Sequence, residues 1–221
     1  MKFAFTMQRI YVLTGLANDE RAFKYIDFGD NDVVHIPWIV PKKQETIEAY
    51  AKRLCEFITT PNPILIGLSF GGIMANEIAK HIVVKKIILL SSVKTYKELP
   101  FYMRWFGKAG LQKIIPPAWV LQTNFFVFWV IRLRKKEHKA LLTKLFNATD
   151  HWVYKWSANA LLNWRNTTVH PNIYHIHGDG DTVLPHVFTT PNYLIKGGGH
   201  FCVVTHGEEV SKILQEQISN S

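Results

Sequence analysis

The chain has 221 residues, of which 48% are hydrophobic and 19% charged. This usage excludes a disordered or low-complexity protein, and the length suits one domain carrying an insertion around a substantial core. The formal net charge is +9, and the two cysteines, Cys55 and Cys202, fall on different predicted elements, so they offer no disulfide framework and fit a reducing compartment.

The first residues, Met1 to Arg9, begin like an export signal, but Arg9 interrupts the apolar run and no small-residue cleavage site follows. The expected location is therefore cytoplasmic. Strands are predicted at 10–13, 33–36, 64–66, 86–90, 173–176 and 193–195, with helical stretches at 44–59, 70–81 and 206–218. Runs such as Ile87-Ile88-Leu89-Leu90 show no polar alternation, as strands buried on both faces do. Strands alternating with helices predict an α/β fold with a mostly parallel, doubly wound sheet.

Between the third strand and the following helix lies Gly67-Leu68-Ser69-Phe70-Gly71, a G-x-S-x-G sequence. A serine on so sharp a strand-to-helix turn presents its hydroxyl to a base and to a substrate. The flanking glycines leave room for the turn, where a larger side chain would strike the neighbouring strand or helix. Serine is a poor nucleophile until a base takes its proton. Candidates for that base and its orienting acid follow in order. Strand 173–176 runs into His177-Gly178-Asp179-Gly180-Asp181-Thr182-Val183-Leu184-Pro185, and strand 193–195 into Gly197-Gly198-Gly199-His200-Phe201. Asp179 and Asp181 both sit in a turn-forming run, and one of the strand residues His175 and His177 is expected to face the interior as an ordinary hydrogen-bonded side chain. His175, His177, Asp179 and Asp181 match no metal-ligand spacing.

Together, the G-x-S-x-G turn, the H-G-x-x-D-x-x-x-P segment and the G-G-H-F segment resemble those of small, single-domain bacterial α/β-hydrolases. So do Leu13-Thr14-Gly15-Leu16-Ala17-Asn18 and Ile36-Pro37-Trp38. The resemblance spans the chain except for roughly 95–165. It implies a minimal α/β-hydrolase fold beginning at what would be the third strand of the full sheet. The core would be 1–94 and 166–221, and 95–165 an inserted helical lid. It further implies Ser69 as nucleophile, His200 as base and Asp181, by its spacing to Pro185, as the acid that orients the imidazole. The backbone N–H groups of Leu16 and Phe70 would form the oxyanion hole. Thr14-Gly15 departs from the His-Gly that many members carry in that loop. No cofactor and no metal is implied.

The implied reaction is cleavage of an ester or thioester through an acyl-enzyme. The alternatives are a lyase or carbon–carbon bond hydrolase of the same fold, or a catalytically idle ligand-binding relative. A serine at position 69 argues against the dehalogenase and epoxide hydrolase branches, which use aspartate there.

From Lys94 to Arg165 there are 13 Lys and Arg against Glu98, Glu137 and Asp150, a net of +10, so the remainder of the chain is near neutral. Six of the seven tryptophans lie there too: Trp105, Trp119, Trp129, Trp152, Trp156 and Trp164. One reading is a lid whose aromatic underside, with Trp129, Trp156 and Trp164 as candidate contacts, grips an acyl chain or ring. Its basic outer face would attract an anionic substrate, a phosphorylated carrier such as coenzyme A, an acidic carrier protein or an anionic membrane surface. The other reading is that the aromatics fasten the insertion to the core while the lysines keep it soluble. No nucleic-acid-binding motif accompanies the charge. The apolar stretch 118–131 falls short of the ~20 residues that span a bilayer. It is read as a helix buried against the core, with an interfacial helix on anionic lipid as the alternative.

Overall fold

A computed structural model describes residues 7–221. Residues 1–6 of the stretch Met1 to Arg9, read above as lacking an export signal, lie outside the described residues. The apolar runs become a six-stranded, wholly parallel sheet in the order β2-β1-β3-β4-β5-β6. The strands are β1 (Arg9–Leu13), β2 (Asp32–His35), β3 (Ile64–Leu68), β4 (Lys86–Leu90), β5 (Ile173–Gly178) and β6 (Tyr193–Ile195). Ile10, Val12, Ile64, Ile66, Ile88 and Leu90 enter one buried layer. Tyr11, Leu13, Leu65, Ile87 and Leu89 enter the other. With water excluded from both faces, neither set of positions can be polar, which explains the unbroken apolar runs.

The second layer is covered by α1 (Ile47–Leu54) and α2 (Phe70–Ile78), the first by α8 (Cys202–Thr205) and α9 (Gly207–Ser219). From β1 the chain moves outward to β2, then crosses back to place β3 on the other side of β1. The connections after β1 and β3 therefore diverge, and a crevice opens at the carboxyl ends of these two strands, where ligands bind in open α/β sheets.

Between β4 and β5 the chain inserts α3 (Phe101–Lys108), α4 (Pro117–Val120), α5 (Phe125–Val130), α6 (Lys136–Asn147) and α7 (His151–Asn163). α3 and α7 approach so closely that a Cβ on Gly107 would lie 2.4 Å from the Leu162 carbonyl oxygen. Three indole N–H groups fasten the C-terminal part to the core. Trp152 donates to the Pro41 carbonyl at 3.2 Å, Trp156 to the Glu45 carbonyl at 2.9 Å, and Trp164 to buried Glu77 Oε1 at 2.7 Å. Trp156 also lies over Tyr50, ring centres 4.2 Å apart.

The stretch 118–131 departs from expectation, for it is not one helix buried on the core. Pro117 opens α4, and Asn124 restarts the chain as α5 by accepting the Val127 N–H at 3.0 Å. Two short helices result, with Trp119, Phe125, Phe126 and Trp129 exposed. Among the described residues, no helix is long and apolar enough to cross a membrane.

The tight joint of β3, α2 and β1 tolerates no added atoms. A Cβ on Gly71 would stand 2.3 Å from the Leu13 carbonyl oxygen and 2.4 Å from that of Thr14, both fixed backbone atoms. Gly71→Ala should destabilise the protein by at least about 1–3 kcal/mol. Thermal unfolding by circular dichroism should register this as a midpoint lowered by about 2–4 °C per kcal/mol.

Candidate active site

Ser69 stands between the last residue of β3 and the first of α2 with φ +51° and ψ −117°, a left-handed conformation that costs a non-glycine residue about 1–3 kcal/mol. Neighbours over-determine it. The Ser69 N–H donates to the Leu90 carbonyl at 2.8 Å, and the Ser92 hydroxyl donates to the Ser69 carbonyl at 2.6 Å. The turn is therefore stitched to the end of β4, and the Ser69 hydroxyl is left at the floor of the crevice.

His200 follows three glycines that let its loop run against the acid-bearing loop. A Cβ on Gly178 would come 2.3 Å from the Gly198 carbonyl oxygen. The two loops are laced by Gly180 N–H to the Gly198 carbonyl at 2.9 Å and by Gly197 N–H to Asp179 Oδ1 at 2.7 Å. Asp179 thus holds the loops together, while Asp181 reaches the imidazole. His200 Nε2 lies 2.9 Å from Ser69 Oγ, and His200 Nδ1 lies 2.7 Å from Asp181 Oδ2. A carboxylate only accepts, so Nδ1 carries the hydrogen and Nε2 is free to receive the serine proton. Residues 131 positions apart meet at hydrogen-bond distance.

The Asp181 carboxylate is buried yet well satisfied. Its Oδ1 accepts the N–H groups of Val183 at 2.8 Å and Leu184 at 2.9 Å. Burial is the largest single influence and pushes its pKa up. His200 and His177 together outweigh burial and hold the carboxyl well below the usual carboxylate range.

Behind Asp181 lies an arrangement the sequence reading missed. His175 and His177 are both fully buried, rather than one of them, because residues two apart on a strand point to the same face. His177 Nε2 lies 2.8 Å from the Leu184 carbonyl and 3.2 Å from Asp181 Oδ2, and His175 Nε2 lies 2.8 Å from His177 Nδ1. Both neighbours of His177 Nε2 are acceptors, so that nitrogen carries the hydrogen. Nδ1 then accepts from His175. His175 Nδ1, at the end of this hydrogen-bond chain, has no partner among the described residues. The period-2 spacing of the two histidines was the available signal.

The loop after β1 closes the other side. Gly15 packs against Ser69, since a Cβ there would lie 3.3 Å from Ser69 Cβ. The Thr14 hydroxyl accepts Trp38 Nε1–H at 2.8 Å and donates to the Asn18 carbonyl at 3.0 Å, so the residue that departs from the family pattern braces this loop. Neither the Leu16 nor the Phe70 amide has an acceptor among the described residues, and the Phe70 ring is buried beneath α2.

Ser69 and His200 open into a cavity of about 310 Å³, walled chiefly by aliphatic side chains including Leu121, Ile131, Leu142, Leu161 and Leu162. A second cavity of about 320 Å³, lined by Thr14, Asp19, Glu20, His35 and Asp150, shares Leu16, Ala17, Asn18 and Tyr154 with the first. Trp129, Trp156 and Trp164 do not line the Ser69 cavity, contrary to expectation. Trp156 and Trp164 are turned into the core by their carbonyl and carboxylate acceptors, and Trp129 faces outward on α5. Cys202 is buried against Ser91 Oγ at 3.4 Å, and burial pushes its thiol up to about 11, so it is a structural thiol rather than a site residue.

A strand–turn–helix serine joined to histidine and aspartate, at the switch point of a parallel sheet, places the chain in the class of α/β proteins with a nucleophile elbow. Residues 23–213 match the alpha/beta hydrolase family, and the chain belongs to that family. Among solved structures it is similar to a bromoperoxidase from Bacillus anthracis (17% identity, 96% of this chain and 92% of that chain covered, TM-score 0.70). It is also similar to a thermophilic esterase from Thermogutta terrifontis (16%, 97% and 90%, 0.69) and an esterase from Exiguobacterium antarcticum (17%, 98% and 93%, 0.67). Among curated proteins, none matches.

Burial, with the nearby His177, lowers the His175 pKa to about 2 from an ordinary 6.5. The unfolded chain therefore binds a proton that the folded chain refuses between those values. The His175 contribution to stability is full above pH 6.5 and is lost as pH falls toward 2, by about 1.4 kcal/mol per unit. His175→Gln keeps a donor for His177 but removes the titration. Urea unfolding at pH 7, 6 and 5 should show a shallower fall in stability for this variant than for the wild type.

Proposed function

We propose that the protein is a cytoplasmic serine hydrolase that cleaves an ester or thioester through an acyl-enzyme. The observation that carries this reading is the unbroken path Ser69 Oγ, His200 Nε2, His200 Nδ1, Asp181 Oδ2, with links of 2.9 and 2.7 Å. His200 takes the Ser69 proton as the hydroxyl attacks the substrate carbonyl, and returns it to the leaving alcohol or thiol. Water then repeats the sequence on the acyl-enzyme. The unpartnered amides of Leu16 and Phe70 supply the oxyanion hole, the latter from the positive end of α2. The insertion serves as a lid over the site.

The aliphatic cavity suits the acyl group. At about 30 Å³ per non-hydrogen atom it holds roughly ten such atoms. The adjoining cavity, with its hydroxyl and carboxylate groups, suits a polar leaving group. Two of the similar structures are esterases, and their likeness supports the fold.

Turnover of p-nitrophenyl esters from acetyl to dodecanoyl should peak at intermediate chain length. Ser69→Ala and His200→Ala should each lower kcat by about 10³-fold or more. Fluorophosphonate labelling should vanish in Ser69→Ala while its melting temperature stays near that of the wild type. Labelling that persists in Ser69→Ala would overturn the nucleophile assignment.

A further inference from the structure

Four aromatic residues around α5 neither fasten the insertion nor touch the Ser69 cavity. Trp119, Phe125, Phe126 and Trp129 are 71%, 81%, 66% and 66% exposed. Positions 125, 126 and 129 share one face of α5, where Phe126 and Trp129 stack with ring centres 6.1 Å apart. The opposite face, Val127 and Phe128, packs on the core with Ile131, so α5 is seated and its outer rings have nowhere inward to turn. Scattered exposed apolar residues need no explanation, whereas a clustered patch of large rings marks an interaction surface.

The charge around the patch selects the partner. Exposed Arg132, Arg134, Lys135 and Lys136 follow α5 directly. Phe125, Trp129, Arg132, Arg134 and Lys135 line one open groove of about 820 Å³. A second copy of the chain would bring its own insertion, net +10, against this one. An anionic bilayer satisfies both parts of the patch: rings enter the boundary between headgroups and acyl chains, and guanidinium and ammonium groups meet lipid phosphates.

We propose that α5 and the basic segment after it dock the protein on an anionic membrane surface, with α5 lying in the interface plane. Val120, Leu121 and Ile131 of the same segment wall the Ser69 cavity, so docking sets that wall against the lipid. Binding requires nothing of Ser69 and stands apart from the chemistry proposed above.

The test is co-sedimentation of the full chain with vesicles of phosphatidylcholine and of equimolar phosphatidylcholine and phosphatidylglycerol, alongside tryptophan emission. Partitioning should be at least about tenfold stronger on the mixed vesicles, weaken with added salt and shift the emission to the blue. Arg134→Glu/Lys135→Glu/Lys136→Glu should lower it by about a hundredfold or more. Phe125→Ser/Phe126→Ser should also lower it with the melting temperature retained. If charge reversal prevents folding, the corresponding triple glutamine variant takes its place. Equal binding to both vesicle types, binding that neither variant weakens, or no binding would each overturn the proposal. Concentration-dependent dimers dispersed by Phe125→Ser/Phe126→Ser, without vesicle binding, would assign the face to a second copy instead.

Discussion

Everything in the crevice depends on the backbone turn at Ser69. The turn demands a positive φ at a residue with a side chain, and that strain persists only because three other segments hold it. Gly71 lets α2 touch the backbone at Leu13 and Thr14, and Gly72 lets it touch Ser92, whose hydroxyl in turn holds the Ser69 carbonyl. These contacts bring the ends of β1 and β4 to the serine. The same close approach places Gly15 against Ser69, beside the Leu16 and Phe70 amides, which have no acceptor among the described residues. A looser joint would release the strain, and the geometry of the crevice with it.

The second organising element is a buried negative charge. Asp181 is removed from water, which by itself disfavours its ionised form, yet two backbone N–H groups and two imidazoles keep it charged. Its placement follows from loops laced by Gly178, Gly198 and Asp179. His177 is held in one tautomer by the Leu184 carbonyl on one side and His175 on the other. Asp181 therefore has a fixed, neutral support extending into the sheet, and the Nδ1 of His175 at its end has no partner among the described residues.

All six strands and the helices α1, α2 and α9 were legible in the sequence, because the inner strands, buried on both faces, cannot hide their apolar runs and α2 announces itself by the G-x-S-x-G turn. The four-residue α8 was too short to show. Small differences remain at boundaries: β3 continues to Leu68 and β5 to Gly178, two residues past the predicted ends, since backbone pairing outlasts the apolar run. That Ser69, His200 and Asp181 should meet was legible through turn chemistry and chain order. The orientation of the insertion's aromatics was not. A tryptophan turns inward where a carbonyl or carboxylate awaits its N–H. For Trp156 and Trp164 those acceptors belong to Glu45 and Glu77, at least 87 residues away in the chain. No local pattern around α5 records that it lacks such an acceptor, and 118–131 reads as a single apolar run although Asn124 splits it.

The indole bonds also divide the insertion mechanically. Swinging α7 away from the sheet would break three hydrogen bonds and separate Trp156 from Tyr50, so this part is a fixed frame. Among the described residues, no indole N–H bond fastens the segment that carries α4 and α5, which is held by the packing of Val127, Phe128 and Ile131 on the core. The Thr182 hydroxyl donates to the Val130 carbonyl and the Arg132 side chain lies over Gly180, which ties this segment to the loop of Asp181. The wall that Val120, Leu121 and Ile131 give the aliphatic cavity is thus held by side-chain packing and hydroxyl bonds, whereas the wall from α7 is pinned by directional indole bonds.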